Sequence, residues 1–343
     1  MQAITTVGLD IAKSVFQVHG VDAQGEVVVR RQLRRARLLP FFQKLPPCLV
    51  GIEACASSHH WARELQALGH TVRLMPPAYV KPYVKRQKND AADAEAICEA
   101  VQRPNMRFVP VKTPDQQACL MLHRTRHLFI RQQTAVINSI RAHLAEFGIV
   151  ARVGRGGVTE LLDIAADADD GRIPELARQC VQALGHQLQQ LRMQILGLDR
   201  QINAWHRANE TSRRLDELPG VGPALATALV ASVPDAKVFR SGRDFSAWIG
   251  LVPKQSSSGG KERLGNITKQ GDRYLRSLFT AGALAVIQYV KVHGARHRPW
   301  LTRLLERRPV KVAAIALANK IARMAWAMMA KGEAYREPVA LAR

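Results

Sequence analysis

Short stretches in which apolar and polar residues alternate, or run wholly apolar, fill the chain from Ile4 to about Val111, with helical stretches between them. Strand side chains alternate between two faces and helical ones repeat every 3.6 residues, so this mixture marks an α/β region. The pattern predicts three strands, Thr5 to Asp10, Ser14 to Val21 and Glu26 to Leu33, joined as an antiparallel meander by short turns that include Asp22 to Gly25. A basic helix follows. Next come an apolar strand Cys48 to Glu53, a helix His59 to Leu68 ended by Gly69, a strand Thr71 to Met75 stopped by Pro76 and Pro77, and a further helix after Asp90.

After Pro114 the periodicity becomes helical over long distances. Asp115 to Phe147 carries apolar or small residues at Ala118, Leu122, Phe129, Val136, Ile140 and Leu144, and Val153 to Gly171 reads as a connector with room for one short helix. From Ile173 to Trp205 apolar positions, Cys180 among them, recur in steps of three and four. This heptad-like seam suits a dimerising or spacer coiled coil and, equally, an intrachain helical hairpin. Gly185 and Gly197 each weaken that helix by about 1 kcal/mol relative to Ala, so it needs a packing partner. In the third region, Leu218 to Ala226 has the form of a helix-hairpin-helix turn, whose bend at Gly220 and Gly222 exposes backbone N–H groups to a phosphate; an ordinary turn between core helices is the alternative. The expected fold class is α/β plus α: an RNase H-like (RuvC-like) domain over residues 1–113, implied by the order βββαβαβ, a long-helix spacer over 114–212, and a mostly helical domain over 213–343.

Charge narrows the partner. Among 343 residues, 50 Lys and Arg oppose 28 Asp and Glu, a net charge of +22 that favours a polyanion: nucleic acid first, an anionic membrane surface second. Phe279 to Val290 falls short of the roughly 20 residues needed to span a bilayer, and Val310 to Met329 has Lys311, Lys320 and Arg323 inside it, as a buried amphipathic helix would. The first residues lack a basic region and a cleavable apolar core, and five scattered cysteines form no C-x-x-C pair. A cytoplasmic protein without disulfides or a zinc ribbon is expected. Cys55, His59 and His60 have ligand-like spacing but no fourth ligand, so a small buried thiol and two helix-start histidines is the expected reading.

Four carboxylates stand out by position. Asp10 ends the first strand in V-G-L-D, Glu53 ends the fourth in V-G-I-E, and in an RNase H-like sheet those strands are neighbours. Asp90 and Asp93 share a face of one helical turn, where the alternative role is capping and helix-dipole stabilisation. Together the four suit Mg²⁺, in one- or two-metal form, with Lys81, Lys85, Arg86 and Lys88 upstream to hold phosphates. The segment G-L-V-P-K-Q-S-S-S-G-G-K-E-R sets Ser256, Ser257 and Ser258 on a glycine loop between Lys254, Lys261 and Arg263, and Lys269, Arg273 and Arg276 extend the positive surface. Residue types alone suit a flexible phosphate-binding loop or a serine that attacks phosphorus, and do not choose among the three serines.

G-L-D-I-A-K, G-I-E-A, K-N-D-A-A-D-A, L-P-G-V-G-P and the serine segment with I-T-K-Q-G-D-R-Y-L-R, in that order over nearly the whole chain, resemble the DEDD-type insertion-sequence transposases, bridge-RNA-guided serine recombinases with a RuvC-like amino-terminal domain. The resemblance implies that Asp10, Glu53, Asp90 and Asp93 form a metal tetrad and that Ser258, just before Gly259, joins covalently to DNA. It further implies a structured non-coding RNA, two homodimers forming a tetramer, and a composite site in which one subunit's tetrad assists another's serine. Two rival functions follow from the residues: a RuvC-type junction nuclease using metal-activated water, and a non-catalytic nucleic-acid-binding protein.

Overall fold

The computed structural model describes residues 3–85, 89–294 and 299–336, which form two compact units, Met1–Pro114 and Asp115–Arg343. Arg86 and Lys88 lie outside the described residues. The first unit runs β1 (Thr6–Ile11), β2 (Val15–Val21), β3 (Val27–Arg34), α1 (Leu38–Phe42), β4 (Leu49–Glu53), α2 (Ser58–Ala67), β5 (Thr71–Met75), α3 (Pro77–Val80) and α4 (Asp90–Val101). Its five strands lie in the order β3-β2-β1-β4-β5, the first three antiparallel and β1, β4 and β5 parallel.

One sheet face carries Val7, Leu9, Phe16, Val18, Leu33, Val50 and Ile52, buried against Leu38 and Phe42 of α1 and Trp61, Ala62 and Leu65 of α2. The opposite face carries Gly8, Asp10, Gly51 and Glu53 and receives α4. Both glycines are required there. A Cβ on Gly8 would lie 2.1 Å from the Ala94 carbonyl oxygen and 2.4 Å from the Cys98 nitrogen, and one on Gly51 would lie 2.7 Å from the Val101 Cβ. Helix α4 offers small or apolar Ala94, Ile97, Cys98 and Val101 along the buried side, and its backbone seats almost directly on β1.

The second unit contains α5 (Pro114–Ala145), α6 (Arg155–Ala166), α7 (Glu175–Ala208), α8 (Glu210–Asp216), α9 (Pro223–Ser232), α10 (Gly242–Ile249), a hairpin of β6 (Pro253–Gln255) and β7 (Leu264–Ile267), α11 (Arg273–His293), α12 (Pro299–Arg307) and α13 (Val310–Lys331). The apolar seam of α7 is consumed largely within the chain. Val181 and Leu188 join Ile140 and Leu144 of α5 and Val158, Leu161 and Ala165 of α6, and Gly185 makes room for Leu162 of α6. Cys180 is exposed and Val181 is buried in its place, because the seam drifts around a 3.6-residue helix when read in heptad steps. Helices α11 and α13 are long and apolar enough to cross a membrane by length and composition. Here they form the centre of the larger core, with Phe279, Ala283 and Ile287 of α11 beside Ala314, Ala318, Ile321 and Ala325 of α13. The turn from α8 to α9 is held against that core: a Cβ on Gly282 of α11 would lie 1.8 Å from the Gly220 carbonyl oxygen.

A buried polar relay crosses this unit. His123 of α5 is 1% exposed; its Nδ1 lies 2.9 Å from the Tyr274 hydroxyl of α11 and its Nε2 lies 2.9 Å from the Thr227 hydroxyl of α9. Thr227 donates to the Pro223 carbonyl, so it must accept from Nε2–H, which leaves Nδ1 to accept from Tyr274. His123 is therefore neutral in the fold, and burial pushes it down to about 4.

Two stability outcomes follow. Gly8→Ala should cost about 3 kcal/mol, measured by denaturant unfolding, because backbone rather than a yielding side chain opposes the new methyl; an unchanged midpoint would show that α4 stands clear of β1. The unfolded chain protonates His123 near its ordinary 6.5 and the folded chain only near about 4, so this group's contribution is full above the first value and lost as pH falls towards the second. Between pH 7 and 5 the unfolding midpoint should drop more for the unmodified protein than for His123→Leu, and equal drops would contradict the buried neutral histidine.

Candidate metal centre and serine hairpin

Seating α4 on Gly8 and Gly51 decides where its first turn ends up. The parallel register pairs Leu9 with Ile52, so Asp10 and Glu53, the next residue on each strand, stand at neighbouring strand ends on the face that α4 covers. Asn89 caps α4 by accepting from the Ala92 amide at 2.9 Å, so the capping role considered for Asp90 belongs to its neighbour. The Asp90 and Asp93 carboxylates come instead to Asp10: one oxygen from each lies within 4.8 Å of the others. Among the described residues this is the one group of acidic, His or Cys side chains so gathered. Glu53 stands beside it in the sheet but outside the 4.8 Å group.

Three carboxylates form an all-oxygen, triply anionic donor set, which fits a hard divalent cation. Asp10 and Asp93 are half-buried and Asp90 is exposed, so the centre opens to solvent. Cys55, expected buried, is exposed, since it sits in the turn before α2. Within that spacing His59 accepts from the Lys112 amide at 3.1 Å and His60 faces Glu64, one helical turn on.

Of the basic residues upstream, Lys85 bonds Glu95 at 2.5 Å, and this bond holds the Glu95 carboxyl below its ordinary value. Lys81 is exposed. In the turn before α9, Gly220 packs on Gly282 while Gly222 is exposed at the helix start, where its carbonyl accepts from Leu225 and Ala226.

The serine segment is not a loose loop. It forms an antiparallel hairpin in which Ser256 N–H bonds the Arg263 carbonyl and Lys261 N–H bonds the Ser258 carbonyl, at 2.9 and 3.1 Å. Gly259 and Gly260 both take positive φ, 57° and 76°, which is what a two-residue turn matched to strand twist demands. Ser258 and Lys261 are bridged and Ser256 and Arg263 are bonded two residues back, so these four share one side; Gln255 and Ser257, whose side chains bond each other, share the other, and Lys254 lies at a register irregularity between Pro253 and Gln255. The Ser257 hydroxyl is taken up by the Gln255 side-chain amide and the Arg263 backbone N–H, at 3.1 and 3.3 Å. Arg276 braces the base of the hairpin, donating to the carbonyls of Ile249 and Gln270 at 2.8 and 2.9 Å, whereas Lys269 and Arg273 are exposed.

Reading the chain residue by residue missed Gly8 and Gly51 as site-building positions. The signal was present: in G-x-D and G-x-E the glycine and the carboxylate share a strand face, so a helix admitted by one arrives at the other.

Comparison with known proteins agrees with this architecture. Residues 7–149 match a DEDD transposase model, and residues 212–298 match the model described as the transposase IS116/IS110/IS902 family. A Pseudomonas aeruginosa protein named "Probable family 20 transposase" is 50% identical over 334 residues, covering 97% of this chain and 99% of its own. The transposase for insertion sequence element IS1111A of Coxiella burnetii is 40% identical over 98% of this chain and 92% of its own, and that for IS1328 of Yersinia enterocolitica is 37% identical over 98% and 99%. An α/β unit with a carboxylate cluster followed by a helical unit, matched end to end by transposases of insertion elements, places the chain among DNA-acting enzymes. The chain belongs to the DEDD-type IS116/IS110/IS902 family of transposases.

Replacing Asp93 by Asn keeps shape and removes one charge from the donor set. Mn²⁺ affinity, followed by titration calorimetry on the full chain, should fall at least tenfold, and an unaltered affinity would remove Asp93 from the centre.

Proposed function

We propose that this transposase cuts and rejoins DNA through a covalent phosphoserine link made by Ser258, aided by Mg²⁺ held on Asp10, Asp90 and Asp93 with Glu53 beside them. The observation that carries the reading is the hairpin: Ser258 sits beside the Gly259-Gly260 turn, on the side with Lys261 and Arg263, while Ser257 lies on the other with its hydroxyl engaged. Ser256 shares the cationic face but lies back along the strand, paired with Arg263. In the step itself the Ser258 Oγ loses its proton, an Oγ–P bond forms, and the P–O bond to the departing nucleoside breaks, its oxygen taking up a proton. The phosphodiester energy is kept for rejoining. Lys254, Lys261 and Arg263 balance charge that grows on the non-bridging oxygens. A divalent cation held by Asp10, Asp90 and Asp93 would supply Lewis-acid chemistry to a phosphodiester brought to it.

The strand order β3-β2-β1-β4-β5, antiparallel then parallel, supports assigning the first unit to the RNase H-like fold. Helices α5 and α7 serve as the spacer over 114–212 that pairs subunits into dimers and tetramers; exposed Met121, Leu128, Leu176, Met193 and Leu196 support this. A charge of +22 supports a second nucleic acid, a structured guide RNA, bound beside DNA in the cytoplasm.

Incubated with labelled DNA carrying the element's end and its RNA, the full chain should form a denaturation-resistant protein–DNA adduct. Ser258→Ala should abolish it and Ser257→Ala should retain it. Cleavage by Ser258→Ala at the unmodified rate would replace the serine route by hydrolysis with metal-activated water, and cleavage surviving both Asp10→Ala and Glu53→Ala would remove the carboxylates from the reaction.

A further inference from the structure

The face of the sheet that bears the carboxylates extends past α4 to the edge strand β3. Asp10 on β1 pairs with Gln17 on β2, and Gln17 pairs with Gln32 on β3. With Glu53 on β4, these residues form a single polar row across four strands, all on one face. Arg30 and Arg34 flank Gln32 on the same side of β3, two residues before and after it. An ion pair verifies the direction: the Arg30 guanidinium lies 3.9 Å from Glu95 of α4, the helix that covers this face, and is still 61% exposed.

Cover diminishes along the row. His19, paired with Gly8, is buried beneath α4 and held below its ordinary pKa mainly by that burial; Gln17 is half-buried, and Gln32, Arg30 and Arg34 are exposed. β3 is the edge of the sheet, so the row opens outward without obstruction by a further strand. From Asp10 to Gln32 it spans about 10 Å, two strand spacings.

We propose that this row is the docking track for a DNA strand, which lays its sugar–phosphate backbone across β2 and β3 and so delivers a phosphodiester to the carboxylates. The claim rests on reading those carboxylates as the reaction centre. Its argument is charge. A phosphate is repelled by three clustered carboxylates, so a strand must be held by something beside them that is not anionic. Gln17 and Gln32 offer neutral amide donors closest to the cluster, and Arg30 and Arg34 offer forked, fully charged donors farther out, a gradient that draws a polyanion inward. Arg31 belongs to the opposite face, being paired with Val18, and serves as an internal control.

The test compares two double variants of equal charge loss in the full chain, Arg30→Ala/Arg34→Ala and Arg31→Ala/Arg37→Ala, where Arg37 is an exposed arginine in the turn between β3 and α1, outside the row. Binding of a fluorescein-labelled DNA duplex is read by anisotropy across a salt series with Ca²⁺ present, alongside RNA of the same sequence, and thermal melts confirm folding. The first variant should bind DNA about tenfold more weakly at moderate salt and lose about two from its log–log salt slope, with a distinctly smaller change in the second. The charge-neutral Gln17→Leu/Gln32→Leu variant should raise KM for cleavage with little change in kcat. Equal losses from the two arginine pairs, or a loss confined to RNA, would overturn the track. Binding is read without cleavage, so a face-specific loss alongside an active Asp10→Asn variant would keep the docking face and overturn the catalytic centre instead.

Discussion

The approach of α4 to β1 governs the first unit. Two positions without a Cβ, Gly8 and Gly51, let a helix backbone rest on a sheet at a distance that any side chain would forbid. Helices normally stand off a sheet by the thickness of their interlocked side chains. Removing that layer brings the start of α4 within carboxylate reach of the strand ends, and three acidic groups that repel one another are gathered by apolar packing further down the same helix. Burial of Ile97, Cys98 and Val101 therefore offsets an electrostatic cost at Asp90 and Asp93.

In the second unit, rigidity is applied at a different point. The hairpin projects with every residue from Pro253 to Gly265 exposed, yet its base is tied by Arg276 to two carbonyls and by the Thr268 amide to Val252 at 2.8 Å. Gly250 and Gly271, both at positive φ, allow the incoming and outgoing strands to press together: a Cβ on Gly271 would lie 1.8 Å from the Trp248 carbonyl oxygen. An exposed serine is thus presented on a short two-stranded arm whose root is fixed in a helical core. Such a geometry gives reach without wholly giving up orientation.

Much of this was legible beforehand. Strand limits fall within a residue or two of those expected from alternation, β5 at Thr71–Met75 among them, because each run is bounded by Gly, Pro or Asp. The convergence of Asp10 with Asp90 and Asp93 followed from strand-end positions and i, i+3 spacing. The hairpin was hidden because three serines, two glycines and flanking cations have no apolar alternation, and its pairing rests on turn chemistry at Gly259-Gly260 instead. Arg276 read as a phosphate ligand because its type suits one; only tertiary structure shows that its Nη1 also donates to two backbone carbonyls at the root of the hairpin. In the same way Gly220 suited a phosphate loop by sequence, while its contact with Gly282 is a long-range packing event that local pattern does not encode.

The relay through His123 has a consequence for assembly of the second unit during synthesis. It ties α5 to α9 and α11 across sequence separations of 104 and 151 residues, so a ribosome must release most of the second unit before the relay can close. The first unit has all its partners in hand by Pro114 and can mature early, as domains generally do in order of emergence. Long-range closures of this kind form slowly. Tyr274 completes the relay and begins the helix that follows the serine arm, so the arm gains its fixed footing among the last parts of the molecule to do so. A nascent chain would then hold its carboxylate cluster before the serine arm has its footing.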